Sequence, residues 1–211
     1  MEHTKIIVAS HVETEFKAWE LSNPIWELAQ PVHLTRYWSG EEAPVSRHAE
    51  ARIIWSDESL NVRFICNQRQ PLVVSSNPRL DQKTIGLWDR DVCEIFLAPF
   101  PDQPERYFEF EAAPTGEWVD LAVCFKNQKR ENDFDFVSGM TVTSRVTEDQ
   151  VEILMRVPWT AIRTPRRGDE WRANLFRCVG LGNERYLAWQ PTFTSEPNFH
   201  VPSAFGILRF T

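Results

Sequence analysis

Between Leu87 and Leu97 the chain reads LWDRDVCEIFL, setting an indole, two aspartates and a strand-borne glutamate within a few positions of one another. An indole offers a flat apolar face, and a carboxylate offers fixed hydrogen-bond acceptors. A sugar ring asks for both, because its C–H face stacks while its hydroxyls need placed partners. The same stretch supports a second chemistry. Glu94 with Glu109, or Asp91 with Glu111, would suit glycosidic hydrolysis if neighbouring strands held the carboxyl groups about 5–5.5 Å apart for retention or about 6.5–9.5 Å for inversion.

The remaining composition removes other chemistries. A net charge of −7 with no basic stripe argues against nucleic acid and anionic membrane surfaces as partners; the densest basic run, RTPRRG, is broken by proline and reads as a turn. No stretch approaches the roughly 18 consecutive apolar residues of a membrane helix. The opening MEHTKIIVASHVETEF lacks a basic n-region and a long apolar run, so no signal peptide is visible and a complete chain is expected in the cytoplasm. Cys66, Cys93, Cys124 and Cys178 lie singly in apolar runs with no metal-type spacing, which predicts buried free thiols. The acidic loop clusters Glu41-Glu42 and Asp133 to Asp135 do not follow a calcium-ligand spacing. No glycine array cradles a phosphate. Nine tryptophans and fourteen phenylalanines exceed the needs of one core, and the surplus is read as a stacking surface.

These residues need a frame. From Ala49 onward short runs rich in Ile, Val, Phe and Trp alternate with turns. AEARIIWSDESLNVRFIC reads as a hairpin, and VCEIFLA, RYFEFEA, EWVDLAVCF, MTVTSRV, QVEILMRV, RANLFRCVGL, RYLAWQPTF and FGILRF follow at short spacing. One short helix is expected near Trp159 to Ile162. The pattern predicts an all-β fold: an antiparallel β-sandwich, jelly-roll-like, forming a single domain over residues 1–211. The first 48 residues predict an irregular, partly helical wrap, with a helical turn near AWELS ended by Asn23-Pro24.

Side chains alternate across a strand. Cys93, Ile95 and Leu97 share an apolar face, which sends Glu94 to the other, there to be solvated or to line a groove. Phe108, Phe110 and Ala112 likewise predict the core side of the next strand, leaving Tyr107, Glu109 and Glu111 outside.

Four segments in order carry a resemblance. LWDRDVCEIFLAP resembles the W-x-x-D-x-x-E-hydrophobic-F strand of family 9 carbohydrate-binding modules and their DOMON-like relatives. WRANLFRCVG with YLAWQPT is similar to that group's fN and W-S-P-T strands, NFHVPSAFGILRF to its closing P-x-x-F-G-x-L strand, and ARIIWSDESLNVRF to its leading hairpin. The similarity spans residues 12–211.

The resemblance implies a β-sandwich that grips a small saccharide or glycan end between two aromatic rings. It places the first ring at Trp88, the carboxylate at Glu94 and the second ring at Phe199, with His200 beside it. Where sugar-binding members carry an arginine on the following strand, this chain has Glu109; Arg177 is the candidate for a compensating positive group. Asp91, Glu109 and His200 complete the expected hydrogen-bonding set, and Trp189 is read as packing. No cofactor is expected, although the family allows structural calcium. The leading expectation is a non-catalytic saccharide- or polyol-binding module. A paired-carboxylate glycosidase stands as the alternative, with a DOMON-type haem site between Met155 and His200 as a third.

Overall fold

In a computed structural model the described residues are 6–13 and 21–211. Ala18 to Glu20 of the expected AWELS turn lie outside them. Fourteen strands form the fold: β1 (Ile6–His11), β2 (Val32–Leu34), β3 (Arg36–Tyr37), β4 (Ala49–Trp55), β5 (Ser59–Asn67), β6 (Val92–Ala98), β7 (Arg106–Ala112), β8 (Trp118–Lys126), β9 (Lys129–Asp133), β10 (Thr141–Val146), β11 (Gln150–Pro158), β12 (Glu170–Cys178), β13 (Tyr186–Ala188) and β14 (Gly206–Phe210). The front sheet runs β14-β12-β6-β7-β8-β9 and the back sheet β10-β11-β5-β4. This is a curled, jelly-roll-like sandwich.

Most pairings are antiparallel, as alternating short strands with tight turns require. The exception is β1, read from sequence as part of the irregular wrap. It pairs parallel with β14 through Ile6 to Ala9, then parallel with β4 through Ser10 and His11, and so joins the two sheets. Asn23-Pro24 begins a turn of its own. It opens a 3-10 turn, Pro24–Leu28, because Asn23 Oδ1 accepts from Ile25 N at 2.9 Å and proline suits a first helical position.

Apolar side chains from both sheets meet between them, among them Ile53, Phe64, Ile95, Leu97, Phe110, Ile153, Met155, Trp171 and Leu175. Trp189 packs against this core. Cys66 and Cys93, one from each sheet, bring their Sγ atoms to 3.4 Å there. Cys124 is only half-buried. Trp26 of the 3-10 turn covers the outer face of the back sheet together with Ile54 and Leu154.

The outer face of the front sheet is covered too. Val92, Phe96 and Phe176 pack there against Leu87, Phe199 and Phe205 from loops, and every residue of β6 is buried. Parity assigned Glu94, Glu109 and Glu111 to this face correctly. All three are buried rather than solvated, because the loops around residues 87 and 199 close over the sheet.

Candidate functional site

Strand register lays the acidic residues side by side. Glu94 on β6 stands opposite Glu111 on β7 and Phe176 on β12, while Phe96 stands opposite Glu109 and Asn174. Glu109 in turn faces Leu121 on β8, and Val123 faces Asn132 on β9. Over part of this lattice lies a cavity of about 280 Å³. Its floor is Glu94, Phe96, Glu109, Leu121 and Cys178; Arg130 and Asn132 of β9 stand at one side; Trp88, Tyr186 and the segment Pro197 to His200 complete the wall.

Local geometry fixes each wall. Gly86 takes φ +84, a left-handed conformation that turns the chain into the short 3-10 segment Leu87–Asp89 and presents Trp88, half-buried. Leu87 anchors the turn by burying its side chain against the sheet. Elsewhere in the lining Phe199 stacks on Phe176 with centroids 4.0 Å apart and planes 13° apart, and meets Tyr186 edge-on at 5.7 Å. The Asn198 side chain accepts from His200 N at 3.0 Å and closes that turn. His200 Nδ1 lies 2.8 Å from the Tyr107 hydroxyl and 4.0 Å from Glu109 Oε2.

Burial controls the charges. It pushes the Glu94 carboxyl up to about 7, against the opposing effects of a Cys178 thiol donating to Oε1 at 3.6 Å and the Arg185 charge. Burial also raises Glu109 and Glu111 well above the usual carboxylate range, and the neighbouring Glu94 charge adds to it. Burial lowers His200 to about 3, with Arg130 assisting, so the imidazole is neutral in ordinary buffers. The Tyr107 phenol and the Cys178 thiol are likewise pushed upward by burial and stay protonated. The floor therefore carries carboxyl groups that take up or release protons as their surroundings change.

Five of the seven sequence-derived site residues meet at this cavity: Trp88, Glu94, Glu109, Phe199 and His200. Two do not. Asp91 accepts from Gly180 N at 2.7 Å and from Val73 N at 3.2 Å, which makes it a buried tie between loops. Arg177 stands opposite Cys93 and therefore points to the core side of β12, as its shared parity with Leu175 dictates. There it donates to the carbonyls of Arg47, His48 and Asn67 and to Gln68 Oε1, at 2.8 to 2.9 Å. It cannot supply a positive group to the cavity. Phe199 lines the wall, but one of its faces is already taken by Phe176.

The alternative chemistries are narrowed by the same geometry. Of the two carboxylate pairs, only Glu94 and Glu109 line the cavity; Asp91 is tied elsewhere and Glu111 lies beneath the surface with no exposure. Met155 is buried between the sheets, on the far side of the front sheet from His200, so the two cannot flank one haem. Among the described residues no group of three or more His, Cys, Asp or Glu is arranged to hold a metal ion. No helix among them is long and apolar enough to cross a membrane.

Sequence reasoning missed Tyr186, Arg130, Asn132 and Cys178 as cavity residues. Arg130 and Asn132 sit in KREND, an unbroken polar run whose strand character comes only from pairing with β8. Cys178 shares parity with Phe176, and that alternation was the available signal.

The profile of the family described as "Carbohydrate family 9 binding domain-like" matches residues 20–211. No curated protein matches the sequence. Among solved structures, a proposed carbohydrate-binding protein from Bacteroides uniformis superposes with TM-score 0.77 at 18% identity, covering 98% of this chain and 99% of that one. A family 9 carbohydrate-binding module from Caldicellulosiruptor kristjanssonii, in complex with cellotriose, gives TM-score 0.67 at 16% identity, covering 98% and 93%. A family 9 carbohydrate-binding module from the same organism, in complex with glucose, gives 0.67 at 16%, covering 98% and 95%. At these identities the likeness establishes a shared fold.

Proposed function

The chain belongs to the family 9 carbohydrate-binding domain-like proteins, and on that premise we propose that it is a non-catalytic module whose front-face cavity holds a saccharide or glycan end. One observation carries the reading: a half-exposed Trp88 and a buried Glu94 open onto the same small cavity. Trp88 supplies an apolar face for the C–H side of a sugar ring. Glu94 and Glu109, protonated or ionised, supply hydrogen-bonding oxygens for its hydroxyls.

Cavity size favours a short ligand. At about 280 Å³ the space falls near the lower end of small-molecule sites, which start at roughly 300 Å³. A terminal ring fits this better than the interior of a polymer. Because each direct hydrogen bond nets only about 0.5–3 kcal/mol after desolvation, the expected affinity is micromolar to millimolar.

Relatives with the same fold have been solved with glucose and with cellotriose, which supports a neutral hexose as the first probe. Isothermal titration against glucose, other hexoses and short oligosaccharides is the test. Saturable heat that disappears in Trp88→Ala supports the reading. No heat with any sugar overturns it.

A further inference from the structure

We propose that this cavity selects a saccharide carrying a protonated primary amine, the ammonium seated against Glu94 and Glu109 beneath the Trp88 and Tyr186 rings. The proposal rests on the saccharide reading above and names the class of sugar.

Unpartnered polar atoms give the first argument. Glu109 is 3% exposed and lines the cavity, yet its Oε2 has no hydrogen-bond partner; Asn132 Oδ1, on the adjoining wall, has none either. Both are acceptors. Directly behind them both oxygens of Glu111 are also unbonded. Among the described residues, no unpartnered buried donor lines this cavity. Once Glu109 is ionised, its Oε2 and Asn132 Oδ1 call for donors from a ligand. An ammonium brings three and no acceptor, whereas a hydroxyl brings one donor along with acceptor lone pairs that would go unmet.

Aromatic walls and charge point the same way. A cation over an indole or phenol face is attracted by the ring quadrupole, most strongly where water is excluded. His200 and Cys178 face the two carboxyls from other elements, and Tyr107 and Glu111 flank Glu109 on β7; His200, Tyr107 and Cys178 are uncharged. Arg185 acts from behind, its guanidinium engaged by the carbonyls of Asp89 and Arg90. Arg130 is the one guanidinium lining the cavity; it stands exposed at the rim, and its charge favours the ionised form of Glu109 and the neutral form of His200.

Proton balance follows from the chemistry. The amine enters as R–NH3+ and keeps its protons, while a carboxyl group on the floor loses one to solvent and becomes the counter-charge. Binding of an amino sugar near neutral pH should therefore release protons, and binding of a neutral sugar should not.

The experiment compares glucosamine, N-acetylglucosamine, glucose and glucuronate by isothermal titration at pH 7, in two buffers of different ionisation enthalpy. Glucosamine is expected to bind about tenfold tighter than glucose, the difference between a charge-assisted and a neutral hydrogen bond, with buffer-dependent heat that reports proton release. N-acetylation should remove both effects. In Glu109→Gln, or in Glu94→Gln if the first variant does not fold, the glucosamine-to-glucose affinity ratio should fall toward one. Glucose binding as tightly as glucosamine, or glucuronate binding tightest, overturns the amine proposal and leaves the saccharide reading standing. Failure of all four sugars overturns the saccharide reading itself, and the amine proposal with it.

Discussion

Glu94 and Glu111 stand directly opposite one another on β6 and β7, two carboxyl groups on one covered sheet face, and neither oxygen of Glu111 has a hydrogen-bond partner. Opposed like charges at this spacing are unfavourable even on an open sheet. Under a loop layer they force protonation, and Glu109 extends the row diagonally. The fold keeps an acidic lattice neutral by holding protons on it.

That lattice sets a pH dependence. Glu94 has an ordinary value of 4.5 and is pushed up to about 7 in the folded protein, so between those values the folded state binds more protons than the unfolded chain. Stability is therefore fully present below about pH 4.5, declines as pH rises, and the Glu94 contribution is lost once pH passes about 7. Glu109 and Glu111, raised further, extend the decline upward. Thermal melts from pH 5 to pH 8 should show a falling Tm, with a shallower slope in Glu111→Gln. A flat profile in the native protein would contradict the neutral lattice.

His200 works against that slope: below its ordinary value of 6.5 the unfolded chain carries a proton there that the folded state does not, so its contribution to stability rises with pH. Burial holds it near 3, so it has no proton to lose between pH 5 and pH 8. Its imidazole nitrogen shifts in an NMR titration are expected to stay constant over this window. A midpoint near 6.5 would show that the Tyr107 contact and the surrounding burial are absent in solution.

Arg177 is predicted to be structural. Four acceptors converge on its guanidinium, three of them backbone carbonyls. Arg177→Met would leave them without their donor in the interior, at a cost of about 3 kcal/mol. Urea unfolding should register that loss. The folded fraction should still bind sugar with native affinity, which separates a tie between the sheets from a ligand contact.

Trp88 and Phe199 were expected as matching jaws, and they differ in what they support. Phe199 is 8% exposed and stacked on Phe176, so Phe199→Ala should cost about 3 kcal/mol of stability as well as binding. Trp88 is half-buried on the 3-10 turn, packed only at the edge of the outer-face cluster and against Phe134, so its truncation should remove binding at a smaller cost in Tm. Equal Tm losses in the two variants would contradict the difference in burial.

The front-sheet face was legible because alternation in VCEIFLA and RYFEFEA leaves only one way to bury the apolar set. Glu94, Glu109 and Tyr107 followed from that parity. Its depth was not legible: strand periodicity says which face a side chain takes, and nothing about the loops at Leu87 and Phe199 that later cover it. Arg177 shares parity with Leu175, which sends it to the core side whatever charge the resemblance would ask of the cavity. KREND and β1 escaped for a different reason. Both take strand form from the neighbours they pair with, and neither carries an internal hydrophobic rhythm.

The central claim is that sugar contacts Trp88. A 1H–15N correlation titration of the tryptophan indoles tests it most directly, with the Trp88 signal assigned by its disappearance in Trp88→Phe. On adding the best-binding sugar, the Trp88 indole signal should move saturably, while the signals of Trp26 and Trp171, buried at 0% and 2% exposure, stay fixed. Saturable binding that leaves the Trp88 signal unmoved would contradict the account.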